Sequence, residues 1–158
     1  MNKKLGFSLI ELMIVIAIVA FLSMIAIPSY SKYLAKAKRA EAYMQLSSIY
    51  AAQKSYWAEH GTYTTQLSGQ GGAGWQPEGY NGGGQQEKFY YTYGFGGGEG
   101  TSCFTGKLNC PSSHLGSAYA DDKGFLAIAA ADIDGDGQMD ILSVDHHNNI
   151  KIVQDDLV

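Results

Sequence analysis

Four aspartates crowd nine residues near the C-terminus: Asp132, Asp134, Asp136 and Asp140, with Gly135 and Gly137 between them. Asp at positions 1, 3, 5 and 9 with Gly at 6 copies the first part of an EF-hand calcium loop. Oxygens spaced by two residues can converge on a hard cation where Gly permits the tight turn. Position 12 is Ser143 rather than the bidentate Glu, so a full helix-flanked EF-hand is not expected. Asp121, Asp122 or a backbone carbonyl are the candidates to complete a shell. The other reading is an Asx-rich turn joining two strands. Carboxylates this close repel without a counter-ion, which favours a metal. Calcium is therefore the one candidate ligand, and no cofactor is required.

A second group stands out at the other end of the chain. Residues 7–27 are apolar except for Ser8, Glu11 and Ser23. As a helix this run is about 31 Å long, enough to span a bilayer core. It is longer than the apolar region of an ordinary signal peptide, and no small-x-small cleavage site follows. Pro28 ends or kinks it. Glu11 within it costs on the order of 2–3 kcal/mol, which makes it a functional candidate. The span holds no Lys, Arg or His to pair with it. An α-amine created by cleavage before Phe7 would lie one helical turn away, in the same chain or in a neighbour. The alternative is a tolerated Glu near the membrane surface.

The remaining chemistry is sparse. Cys103 and Cys110 are too few for a zinc site and form a candidate disulfide in an oxidising compartment; in the cytoplasm they would be free thiols. Gly69, Gly71 and Gly74 match G-x-G-x-x-G, but no strand precedes them and no helix follows, so the match is loop composition. His146 and His147 read as turn residues. Tyr30, Tyr33, Tyr43, Tyr50, Tyr56 and Trp57 read as packing aromatics. No triad or paired-carboxylate cleft points to an enzyme. The net charge of −4 argues against nucleic acid as a partner.

Lys4, Leu5 and Gly6 followed by Phe7, Ser8, Leu9, Ile10 and Glu11, with Pro28 beyond, resemble the class III signal of type IV prepilins of the type IVa group. The resemblance is specific over residues 3–33. It implies cleavage after Gly6 by a prepilin peptidase, N-methylation of Phe7, and a role for Glu11 in neutralising the N-terminus of a neighbouring subunit. It implies a homo-oligomeric filament, drawn from an inner-membrane pool by assembly machinery and displayed outside the cell for motility, adhesion or surface display. A secretion-system pseudopilin and a minor or competence pilin are the alternatives. Some pseudopilins carry calcium in a comparable loop, so the aspartates do not separate the two. Removing the leader takes away Lys3 and Lys4 and leaves nine basic against fifteen acidic side chains, a net charge of −6. Lys32, Lys36, Lys38 and Arg39 beyond the span would alone favour the inverted orientation. The resemblance overrides that count. Typical type IVa pilins close a disulfide loop near the C-terminus; here no Cys follows Cys110, so their C-terminal loop cannot be carried over.

The elements that must position these residues follow from periodicity. Residues 29–59 lack Pro and Gly and continue the helix, with Ala42, Leu46, Ile49 and Tyr56 as a packing stripe, Gln53 as its exception and Gly61 as C-cap. Residues 61–106 hold fifteen of the twenty glycines and predict a mostly irregular, mobile stretch. Strands are expected at 88–95, with Phe89, Tyr91 and Tyr93 on one side, and at 124–131, 139–144 and 149–153. The expectation is an α+β pilin fold: a leader at 1–6, an apolar membrane or filament-core helix at 7–28, its amphipathic continuation at 29–60, and a β domain at 61–158 with three or four antiparallel strands.

Overall fold

A computed structural model describes residues 6–157. Of the expected leader only Gly6 falls within them; residues 1–5 lie outside the described residues. The described residues divide into two compact units, which meet in sequence between Leu34 and Ala35.

One helix, α1, runs Leu9–His60. Ser8 and Glu11 start it as a reciprocal cap. The Ser8 backbone N–H and hydroxyl both donate to Glu11 Oε2 at 2.8 Å, and the Glu11 N–H returns to Ser8 Oγ at 3.3 Å. Pro28 lies inside the helix and does not end it, which removes one of the two roles expected for it. Proline costs the helix one N–H and crowds the carbonyl four residues earlier, and here the helix continues past it. In the apolar segment the polar side chains are satisfied locally: Ser23 Oγ donates to the Val19 carbonyl at 2.8 Å and Ser29 Oγ to that of Ile25 at 3.1 Å. Gly61, at φ +72°, terminates α1 by donating to the Trp57 carbonyl at 2.8 Å; an L side chain would be strained there.

In the second unit the helix buries Ala35, Ala42, Leu46, Ile49 and Gln53. The stripe differs from expectation at its end. Gln53 is fully buried, whereas Tyr56 is only half-buried. The Gln53 amide explains the exchange. Its Nε2 donates to the Thr64 carbonyl at 2.6 Å and its Oε1 accepts from the Thr64 N–H at 3.1 Å. A side chain thus pairs with one backbone unit of the chain that leaves the helix, and no buried amide is left unsatisfied.

The sheet is wholly antiparallel and has six strands: β1 (Thr92–Gly94), β2 (Cys103–Phe104), β3 (Tyr119–Ala120), β4 (Phe125–Ala131), β5 (Asp140–Asp145) and β6 (Ile150–Gln154). Their order is β2-β1-β4-β5-β6, and β3 pairs with Phe125 and Leu126 of β4, ahead of the residues that β1 covers. The count exceeds the three or four expected because β2 and β3 have two residues each, too short to show a period. β4 is buried on both faces. Phe125, Ala127, Ala129 and Ala131 share the core of α1, while Ile128 and Ala130 join a second cluster with Cys103, Cys110 and Leu115.

The Gly-rich stretch is mostly irregular, as expected, but it packs. Tyr63, Leu67, Trp75, Phe89, Tyr91, Tyr93, Phe95 and Phe104 from residues 61–106 all enter the main core. Trp75 Nε1 donates to Ser48 Oγ on α1 at 2.7 Å. Gly94, at φ +133°, is required where β1 meets β2, since a Cβ would collide with the Ser102 carbonyl. The glycines here make turns between aromatic anchors.

Candidate functional site

Two regions hold the residues singled out by sequence, and they are built differently. In the first, Phe7 is 90% exposed and every large apolar side chain from Leu9 to Tyr33 is exposed. The helix is long and apolar enough here to cross a membrane, and none of its most apolar window is buried. Gly6 has open space around it. Glu11 is held by Ser8 as described. Ser8-x-x-Glu11 is itself a capping-box pattern, a local signal independent of any cation.

The second region joins α1 to the C-terminal strands. Arg39 meets Asp140 in a two-point ion pair, with Nε to Oδ2 at 2.9 Å and Nη2 to Oδ1 at 2.5 Å. Nη2 also reaches Asp155 Oδ1 at 2.5 Å. Asp140 is fully buried, and it further accepts the Tyr91 hydroxyl at 2.5 Å and the Asp156 N–H at 3.3 Å. Burial works against the charge of Arg39, but the hydrogen bonds and charges of Asp140 and Asp155 outweigh it and hold the guanidinium protonated. Burial, then the bond to Asp140, raises the Tyr91 hydroxyl well above its usual range. Next to this pair, Lys38 Nζ donates to the Ile133 carbonyl at 2.6 Å.

This network corrects the expected ligand set. Asp140 is engaged by Arg39 and Tyr91 and does not join Asp132, Asp134 and Asp136. Their fourth partner is Asp156: all four residues offer a carboxylate oxygen within 4.8 Å of one another. The strand geometry is the reason. Asp140 is the first residue of β5, pairs with Ala131 and lies on the helix side, whereas the loop before it projects outward. Asp121 is also elsewhere, capping its own turn through Lys123 and Gly124, both at 2.8 Å. Within the loop, Asp132 accepts the N–H groups of Gly135 and Gly137 at 2.7 and 3.0 Å. Asp136 accepts that of Gln138 at 2.7 Å. The turn reading is therefore realised in the hydrogen bonding. Nothing in the sequence signalled Asp156, which lies twenty-four residues from Asp132, or Arg39, on the distant helix.

The disulfide expected between Cys103 and Cys110 is not formed in the structure. Both are buried free thiols. Cys110 Sγ faces Met139 Sδ at 3.7 Å and the Pro111 carbonyl at 3.8 Å. Burial pushes both thiols up to about 11, with Glu99 adding at Cys103 and Asp132 at Cys110. Protonated thiols are poor nucleophiles, which opposes oxidation. His146 and His147 sit in the turn between β5 and β6, as expected, with ring centroids 4.0 Å apart.

The helix has a first half with an uncovered apolar surface and a second half that packs on a small antiparallel sheet, an α+β layout. Comparison with known proteins makes the class specific. Residues 1–27 match the family model for the prokaryotic N-terminal methylation motif. The chain is 49% identical over 62 residues to the type IV major pilin protein PilA of Myxococcus xanthus, which is 39% of this chain and 28% of that protein. It is 44% identical over 71 residues to the fimbrial protein EcpB of Eikenella corrodens, 45% of each. It is 45% identical over 58 residues to the type IV major pilin protein PilE1 of Neisseria gonorrhoeae, 37% of this chain and 35% of that one. The chain spans less than half the length of each of these relatives. Motif and relatives together make the chain similar to type IV pilins over its N-terminal helix, and the α+β fold agrees with that similarity.

Proposed function

We propose that this chain is the structural subunit of a type IV pilus, a homopolymeric extracellular filament. The observation that carries the reading is the uncovered apolar surface of residues 7–34, which must lie in a bilayer or against other helices. The order of events follows the class. A prepilin peptidase removes residues 1–6, Phe7 is N-methylated, and the chain waits in the inner membrane, held by residues 7–28. Assembly machinery then transfers that helix from lipid to a bundle of like helices, an exchange between two apolar surroundings. The β domain tiles the outside. Glu11 neutralises the N-terminus of a neighbouring subunit and sets the stagger between helices. The subunit performs no catalysis and takes no nucleic acid; its partners are its own copies, the peptidase and the assembly machinery.

The cap at Ser8 gives Glu11 a second role, and substitution separates the two. Glu11→Gln keeps the capping box, since glutamine serves at that position, while removing the charge. Glu11→Val removes both. The expected outcome is that each variant inserts and is cleaved, with intact mass showing a chain that starts at methylated Phe7, but that neither yields sheared fibres. Normal fibres from Glu11→Gln would end the charge role and leave only the cap. Wild-type mass found in membranes without fibres would instead indicate a pseudopilin or minor pilin.

A further inference from the structure

Among the four clustered aspartates, one buried carboxylate oxygen lacks a hydrogen-bond partner. Asp156 is 5% exposed, and its Oδ2 accepts the Ile133 N–H at 2.9 Å, but its Oδ1 is buried with no hydrogen bond. An orphaned carboxylate oxygen in that setting is costly unless a cation or a proton meets it. The company of Asp156 is negative: one oxygen from each of Asp132, Asp134, Asp136 and Asp156 lies within 4.8 Å of the others. The cations of α1 nearest this region, Arg39 and Lys38, are committed elsewhere. Both salt bridges among the described residues belong to Arg39, with Asp140 and Asp155, and Lys38 donates to the Ile133 carbonyl.

We propose that Asp132, Asp134, Asp136 and Asp156 form a calcium site that ties the loop between β4 and β5 to the C-terminal tail. The donors are all hard carboxylate oxygens, and no thiol or imidazole belongs to the set, which selects Ca2+ over zinc or copper. Three of the four residues are on a loop, and Asp134 and Asp136 are exposed, so the ring can adjust to the long bonds and variable coordination of Ca2+ and admit waters to fill its shell. Ile133 anchors the arrangement. Its side chain is buried in the main core and its N–H holds Asp156. Calcium bound at Asp156 would fix the residue next to Asp155 and so hold the tail beside Arg39 on α1. The site stands whether or not the chain forms a filament, and its test needs none.

The test is calcium titration of the detergent-solubilised full chain by calorimetry, with thermal melting in CaCl2 and in EDTA. One saturable Ca2+ per chain and a higher Tm with calcium are expected. Asp134→Asn keeps an oxygen for its one internal bond, to the Asp136 N–H at 3.2 Å, so it leaves the fold in place. It should weaken calcium binding about tenfold or more, because affinity follows the number of ligand charges. Asp156→Asn should do the same, with an amide oxygen still available to Ile133. Asp122→Asn, exposed and outside the ring, should change neither affinity nor Tm shift. Absence of saturable binding at millimolar calcium would overturn the proposal. So would unchanged affinity in a folded Asp134→Asn chain, or Mg2+ giving the same Tm shift at equal concentration.

Discussion

The two halves of α1 share one helical backbone and treat apolar side chains in opposite ways. Between residues 9 and 34 the large apolar side chains are exposed all round, and the polar ones turn back on the helix's own carbonyls. Between residues 35 and 60 a single stripe is buried, Ala42, Leu46 and Ile49 with Gln53, and polar side chains reach outward to other elements. A helix apolar all round needs a solvent or partner with no preferred side, whereas a striped helix needs one particular sheet. The first half is therefore suited to any apolar surrounding, and the second to stay where it is packed.

Breaking the polar tie of the second half should have the largest effect on the folded domain. Arg39→Ala leaves the fully buried Asp140 without its cation, and a broken buried pair costs about 3–5 kcal/mol. Urea unfolding followed by the fluorescence of buried Trp75 measures it; a loss below about 1 kcal/mol, the range of a surface pair, would contradict the burial assigned to this bond. A matched pair of truncations sharpens the contrast directly. Leu46→Ala opens a cavity in the core and should lower domain stability by about 2–5 kcal/mol. Ile14→Ala, at a residue 54% exposed, should leave the same transition within about 0.5 kcal/mol and act on insertion or assembly instead. Equal losses from the two would erase the distinction between the halves.

The smallest effect concerns pH. Glu41, on the second half of α1, is half-buried, and burial holds its carboxyl above the usual range against the bonds from the Tyr90 N–H and Tyr93 hydroxyl, at 2.9 and 3.0 Å. The folded state therefore binds this proton more tightly than the unfolded state. Its contribution to stability is present below the ordinary carboxylate pKa and is lost as pH rises through the raised value. Both bonds end on Oε1, which glutamine retains. Glu41→Gln should accordingly raise Tm at pH 7 and flatten the decline between acid and neutral pH. A Tm at pH 7 lower than wild type would show that the charge contributes more to its two hydrogen bonds than burial costs it.

Composition and period alone determined the apolar span, the continuing helix through Leu46 and Ile49, the Gly61 cap and the strands ending in residues 124–154, because each depends on neighbours within one turn or one pleat. The Ser8-Glu11 cap was equally local and equally written in the sequence. Tertiary structure decided the rest. It set Gln53 inside and Tyr56 half outside, since only the position of Thr64 makes a buried amide affordable there. It drew the aromatics of the Gly-rich stretch into the core. It took Asp140 out of the acidic ring and put Asp156 into it, because β5 turns Asp140 towards Arg39 while the tail returns beside the loop. Charges twenty-four and a hundred residues apart in sequence act on one another only once the chain has brought them together, and spacing along a chain carries no record of that.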